Sequence, residues 1–233
     1  MSQALGILLE DNHLLVLNKP APLATMGAAA GEPSLLEQAK DYIRRKYNKP
    51  GNVYLGVVSR LDSFVTGTVI FARTSKAASR ISEQFRNGSI RKTYLAIVPH
   101  QSRFPEHGTL RHMIYKNDSR KRMFAVAEGN VPAQFAEQAK RAELNYRTIK
   151  KSGDSRLIEI DLVTGRKHQI RAQLAAEGCP VTGDRKYASD ESFKSGIALH
   201  CRSLQFLHPT LKTEVVAGCE PPNWWNLPRF EIS

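Results

Sequence analysis

The sequence predicts an α+β fold, a mixed and mostly antiparallel sheet with a few flanking helices, and three observations carry that expectation. Short apolar runs bounded by turn residues recur along the whole chain. Only three segments show helical periodicity, and they do not alternate with strands as a doubly wound parallel sheet requires. The 233 residues are 41% hydrophobic and 24% charged, enough to build a sizeable core and to exclude global disorder. No linker forces a second domain, so a single catalytic-size domain over 1–233 is expected.

The elements follow in order. Gly6–Leu9 and Leu14–Leu17 are apolar runs split by the turn-like Glu10-Asp11-Asn12, and Lys19-Pro20 ends the second because proline removes a ladder donor. Met26–Pro33 is small and Gly-rich and reads as a loop. Ser34-x-x-Glu37 is a capping box opening a helix with Leu35, Ala39, Tyr42 and Ile43 on one face, stopped at Lys49-Pro50-Gly51. Strands Val53–Val58 and Val65–Ala72 flank the polar break Ser59–Ser63. A helix capped by Ser75 runs to about Asn87, with Ala78, Ile81, Ser82 and Phe85 inward and Gly88 as its stop. Further strands are expected at Ile90–Val98, Thr109–Tyr115, Met123–Val126, Ala142–Lys150, Arg156–Val163, Ile197–Leu207 and Thr213–Ala217. A third helix spans about Lys167–Ala176, closed by Gly178.

Charge narrows the partners. Thirty-four Lys+Arg against 22 Asp+Glu leave a net charge of +12, which favours a polyanion, most often nucleic acid. No apolar stretch approaches a membrane span, and the N-terminus lacks the pattern of a signal peptide. Cys179, Cys201 and Cys219 form no CxxC pair and point to a reducing, cytoplasmic setting. Phosphate-loop and dinucleotide fingerprints are missing, as is a GxSxG elbow. No histidine pair has metal-ligand spacing, so neither a metal nor another cofactor is expected.

Three segments remain as candidates for chemistry. In Val57–Gly67 an acid, Asp62, sits beside Arg60 at the polar break between two apolar strands; on pattern alone this is a solvated turn with a local ion pair. Thr164–Arg171 places a basic cluster where a strand gives way to a helix, readable as a phosphate-binding helix start or a solvated charged face. In Arg91-Lys92-Thr93-Tyr94 an aromatic lies mid-strand among basic residues, and by itself Tyr94 reads as a half-buried core aromatic.

Together these segments resemble one family. SRLDSFVTGTVIFART is similar to the HRLD-x-x-TSG signature of the RluA-type pseudouridine synthases. Phe85 through Val98 resembles the family's lysine-x-tyrosine strand, and GRKHQIRAQLAAEGCPVTGDRKY its GR-T-HQIR-VH segment with the glycine-aspartate run behind it. ALHCRSLQFLHP and EDNHLLVLNKPAPL match the late strand and the opening, so the likeness spans about residues 7–225 in family order. Ser59 stands for the usual histidine, Val65-Thr66-Gly67 for Thr-Ser-Gly, and Lys167 for a threonine.

The resemblance implies the pseudouridine synthase catalytic fold, without the N-terminal RNA-binding module of some relatives, and isomerisation of uridine to pseudouridine in RNA. Ribosomal RNA is the first expected target and transfer RNA the second; DNA is not expected. It implies Asp62 as the catalytic carboxylate, Arg171 as the cation paired with it, and Tyr94 as the aromatic stacked on the target uracil. It also suggests Arg60 for base flipping. Lys92, Arg166, Lys167 and His168 are expected to contact RNA. The rival reading is a non-catalytic RNA-binding protein on the same scaffold.

Overall fold

In a computed structural model, described over residues 5–27 and 32–226, the chain divides by its internal packing into two units. The first comprises Met1–Arg91 with Cys201–Pro221, the second Lys92–His200 with Pro222–Ser233. Part of the expected Met26–Pro33 loop lies outside the described residues.

The first unit opens on a hairpin, β1 (Gly6–Glu10) and β2 (Leu14–Lys19). Its turn is set by Asp11, whose Oδ1 accepts the amides of His13 and Leu14 at 2.6 and 2.7 Å. Helix α1 (Leu35–Lys46) starts at the predicted capping box, with both reciprocal bonds present, and buries Leu35, Ala39 and Ile43. These residues meet Leu15 and Leu17 of β2 and Val69 and Phe71 of β4 (Thr66–Ala72) in one apolar cluster. Each such side chain contributes about 1.5–3 kcal/mol when fully buried. The strand predicted at Val53–Val58 shrinks to β3 (Gly56–Val57), though Val53 and Leu55 still enter the cluster. Burial there comes from the side chains, and ladder pairing is confined to Gly56 and Val57 opposite Ala72 and Phe71.

Helix α2 (Ser75–Arg86) is capped by Thr74 rather than Ser75: Thr74 Oγ1 accepts the Ala77 amide at 3.1 Å. Ile81 is buried as expected, joined by Ala77, while Ala78, Ser82 and Phe85 lie at the margin of the face. Near the chain's end come β10 (Leu199–Leu207) and β11 (Glu214–Gly218). The strand order in this unit is β1-β2-β4-β10, with β3 also on β4 and β11 on β10. Gly67 in β4 explains one motif position: φ is +115°, and a Cβ there would lie 2.6 Å from the Cys201 amide nitrogen. Only glycine tolerates both conditions.

The second unit holds β5 (Arg91–Pro99), β6 (His107–Asn117), β7 (Arg122–Val126), β8 (Lys140–Ser152) and β9 (Ser155–Leu162), in the order β5-β9-β8-β6-β7. The pairings of β5 with β9, β9 with β8, β8 with β6 and β6 with β7 are antiparallel, in keeping with a mostly antiparallel sheet. Helix α3 (Gln169–Ala176) lies against β6 and β7. It begins two residues later than predicted because His168 adopts a left-handed conformation, with φ 52°. Six of its eight residues are buried, including Gln169, Arg171 and Gln173, so charged and amide groups must be satisfied internally. Gln173 Nε2 donates to the Leu110 carbonyl at 3.0 Å, whereas its buried Oε1 has no hydrogen-bond partner among the described residues.

Candidate active site

Asp62 sits on a turn of the first unit whose backbone is fixed from several sides. Leu61, just before it, packs its side chain against the apolar cluster. The buried Thr25 hydroxyl accepts the Leu61 amide at 3.1 Å and donates to the Leu61 carbonyl at 2.8 Å. The Val65 amide closes the turn onto the Asp62 carbonyl at 3.0 Å, and the Leu23 amide donates to the Ser63 carbonyl at 3.0 Å. Just upstream, Ser59 Oγ accepts the Ile70 amide of β4 at 2.8 Å, which gives the serine at the family's histidine position a structural task. Each of these bonds contributes about 1 kcal/mol net, and losing one while its partner stays buried costs more. The half-buried Asp62 side chain is thus presented from a preorganised loop, with Arg60 exposed two residues earlier.

Lys19 lies beneath this turn, fully buried. Its Nζ donates to the carbonyls of Pro20 at 2.9 Å, Leu23 at 2.7 Å and Ser63 at 3.1 Å. Burial lowers its pKa to about 7, and the nearby charge of Asp62 opposes that fall. Three carbonyl acceptors call for three N–H donors, which the ammonium has and the neutral amine lacks. The three bonds are therefore those of an ammonium, the form Lys19 holds below about pH 7. In the sequence pattern Lys19 marks only the end of a strand. Its signal was the two-residue period: Leu15, Leu17 and Lys19 share one face, and the first two belong to the core cluster.

The remaining candidates lie in the second unit. Tyr94 is half-buried on β5, opposite Ile160 of β9. Lys92 is buried, its Nζ 3.4 Å from the Val163 carbonyl. Arg166 and Lys167 are exposed, with Arg166 Nε donating to the Arg141 carbonyl at 3.1 Å. Arg171 is held edge-on by Asp184: Nε reaches Oδ2 at 2.6 Å and Nη2 reaches Oδ1 at 2.9 Å, with side chains 5% and 1% exposed. This is a buried fork-to-fork pair, the strongest geometry for an arginine and a carboxylate.

The Tyr187 ring lies below the Arg171 guanidinium, 5.1 Å from its centroid. Its hydroxyl is 3.0 Å from His168 Nδ1 and accepts the Met123 amide at 3.2 Å. Arg171 and His168, three residues apart in sequence, thus share the Tyr187 anchor. Gly183 before Asp184 has φ +85°, and a Cβ there would meet Phe193 Cβ at 2.5 Å, so the glycine-aspartate run has a steric reason. Asp184 and Tyr187 as supports of Arg171 were not legible beforehand, since neither has a local periodic relation to the helix it serves.

Comparison with known proteins places these elements. A model of the RNA pseudouridylate synthase family matches residues 13–176. The chain is 31% identical to the uncharacterized RNA pseudouridine synthase YhcT of Bacillus subtilis, over 98% of this chain and 73% of that protein. It is likewise 31% identical to ribosomal large subunit pseudouridine synthase D of Zymomonas mobilis, over 94% of this chain and 69% of that protein. The solved structure of human RNA pseudouridylate synthase domain containing 4 superposes with a TM-score of 0.79 at 25% identity, over 96% of this chain and 92% of that one.

Fold and motifs therefore define an RNA-modifying isomerase. The chain belongs to the RNA pseudouridylate synthase family, in its RluA-type branch. The activity is that of an RNA pseudouridine synthase, with RNA as its partner.

Proposed function

We propose that this chain isomerises uridine in structured RNA, ribosomal RNA before transfer RNA, with Asp62 as the catalytic carboxylate and no cofactor. The observation that carries the assignment of Asp62 is its setting: an acid on a turn bolted at Leu61, Asp62 and Ser63, over a buried lysine. The reaction breaks the bond from ribose to the uracil nitrogen, turns the base, and rejoins it through carbon. Substrate and product are isomers, so nothing is oxidised or reduced: the carbon that takes the ribose loses a proton, and the nitrogen that released the ribose gains one. One ionised carboxylate at the ribose acts as nucleophile or base.

The family resemblance assigns Tyr94 to stack on the uracil and Arg171 to supply a further positive charge. Arg60 is assigned to the space a flipped base vacates, since extrusion costs a few kcal/mol that protein contacts must offset. The exposed Arg166 and Lys167 serve as phosphate contacts. His168 is assigned to RNA with them, and Lys92 to RNA by its place beside Tyr94.

Ribosomal RNA is favoured because several relatives bear the name ribosomal large subunit pseudouridine synthase. The test is twofold. Pseudouridines are mapped across total RNA with and without the gene, and the position that disappears names the target. Asp62→Asn is then assayed on that RNA. No product with RNA binding retained is the expected result. Full product from the purified variant would remove Asp62 from the chemistry, and binding without turnover by the parent would favour a non-catalytic RNA-binding protein.

A further inference from the structure

The turn that carries Asp62 also carries a largely exposed aromatic side chain. Phe64 is 51% exposed, whereas the next residue, Val65, is 2% exposed. A single exposed apolar residue is ordinary on a protein surface; this one is unusual in position and fixation. It occupies the third place of the tight turn closed by the Val65 amide on the Asp62 carbonyl. Glycine, asparagine, aspartate and serine suit that place, and phenylalanine brings none of their local hydrogen bonds. The turn cannot roll the ring inward without breaking the bonds at Leu61 and Ser63. Among the described residues, Phe64 makes no aromatic or cation–π contact.

We propose that Phe64 is a stacking platform for a nucleobase next to the target uridine in the RNA substrate. The inference rests on the reading that Asp62 is the catalytic carboxylate, because it is that reading which places Phe64 at the target. When a uridine leaves the stack, its neighbours each lose an aromatic contact. A rigid ring two residues from the carboxylate replaces one of them. Exposed Arg60, two residues on the other side of Asp62, supplies positive charge on the same segment. A base has a π-face whatever its identity, so Phe64 adds affinity and registers the strand without reading sequence.

The test compares RNA affinity in the Asp62→Asn background, using ribosomal RNA purified from cells that lack the gene. Adding Phe64→Ala should weaken binding on the order of 5- to 100-fold, the range for losing one base–aromatic stack. Phe64→Tyr should restore parental binding to within about twofold, while Phe64→Leu, apolar but not aromatic, should behave like Phe64→Ala. Thermal melting of all three should match the background variant. Unchanged affinity in Phe64→Ala, full affinity in Phe64→Leu, or a melting loss that parallels the binding loss would each overturn the inference. Turnover by Asp62→Asn alone would instead sink the catalytic reading, and with it the placement of Phe64 beside the target, whatever the binding results.

Discussion

Removal of Asp184 should destabilise the protein more than any surface change and should lower turnover with it. Its carboxylate and the Arg171 guanidinium are 1% and 5% exposed and joined at 2.6 and 2.9 Å. Asp184→Asn keeps the volume but takes away the negative charge and one acceptor oxygen, facing Arg171 with an amide donor. Breaking a buried pair from one side typically costs about 3–5 kcal/mol. For a chain of this size each kcal/mol shifts Tm by roughly 2–4 °C, so a fall of about 6–20 °C is expected. Calorimetry or circular dichroism at fixed pH and salt reads it.

A double-mutant cycle with Arg171→Met isolates the pair. The double variant should lose clearly less than the sum of the two singles, because neither partner is then left buried alone. If Asp184→Asn melts within about 2 °C of the parent, or if the two losses simply add, the pair does not support Arg171 and the reasoning fails.

Two further substitutions test the turn around Asp62. Thr25→Val keeps the shape but leaves the Leu61 amide and carbonyl without their 3.1 and 2.8 Å partner; a stability loss of about 2–4 kcal/mol is expected. Single-turnover rates should fall further than the folded fraction does, and rates that merely track folding would show the turn to be dispensable for positioning. Lys19→Met tests the lowered pKa of Lys19 through pH. The folded pKa, about 7, lies below the ordinary 10.5, so the unfolded chain binds the extra proton between those values. Stability of the parent should therefore rise with pH relative to Lys19→Met, by up to about 1.4 kcal/mol per unit from pH 7 to 10. Urea titrations at pH 7, 8 and 9 measure the difference, and parallel curves would refute the assignment.

What could be read in the chain beforehand was local. The capping box at Ser34, the stop at Gly88, the apolar run of β2 and the alternation in β5 concern neighbours a few residues apart, and local hydrogen bonding or side-chain pattern decides them. The errors came where tertiary contacts outrank local preference. Val53 and Leu55 are apolar and buried without being strand, because side-chain packing and ladder pairing are separate conditions. Thr74 displaced Ser75 as cap because either hydroxyl satisfies the same local rule and the helix phase is chosen by which face buries.

For the site, the motif segments identified the family and nominated Asp62, Tyr94 and Arg171, since those residue types recur at fixed places in the pattern. Their supports stayed hidden. Thr25 binds Leu61 across 36 residues, Lys19 reaches Ser63 across 44, and Asp184 meets Arg171 across 13. Such partners have no period and no spacing rule, because chain folding rather than local geometry brings them together.

By itself, then, the sequence determined the α+β class, the strand and helix order, the polyanionic partner implied by a +12 balance, and the family. Composition, periodicity and ordered motifs are properties of the covalent chain and survive without coordinates. Only the tertiary structure decided which groups hold the acid and the arginine: a threonine gripping one residue by both backbone groups, a buried lysine donating to three carbonyls, and a carboxylate forked onto a guanidinium. It also decided that Phe64, one more apolar residue in the string, faces outward at the turn of Asp62. Burial is a sum over the whole fold, and no local stretch of chain contains it.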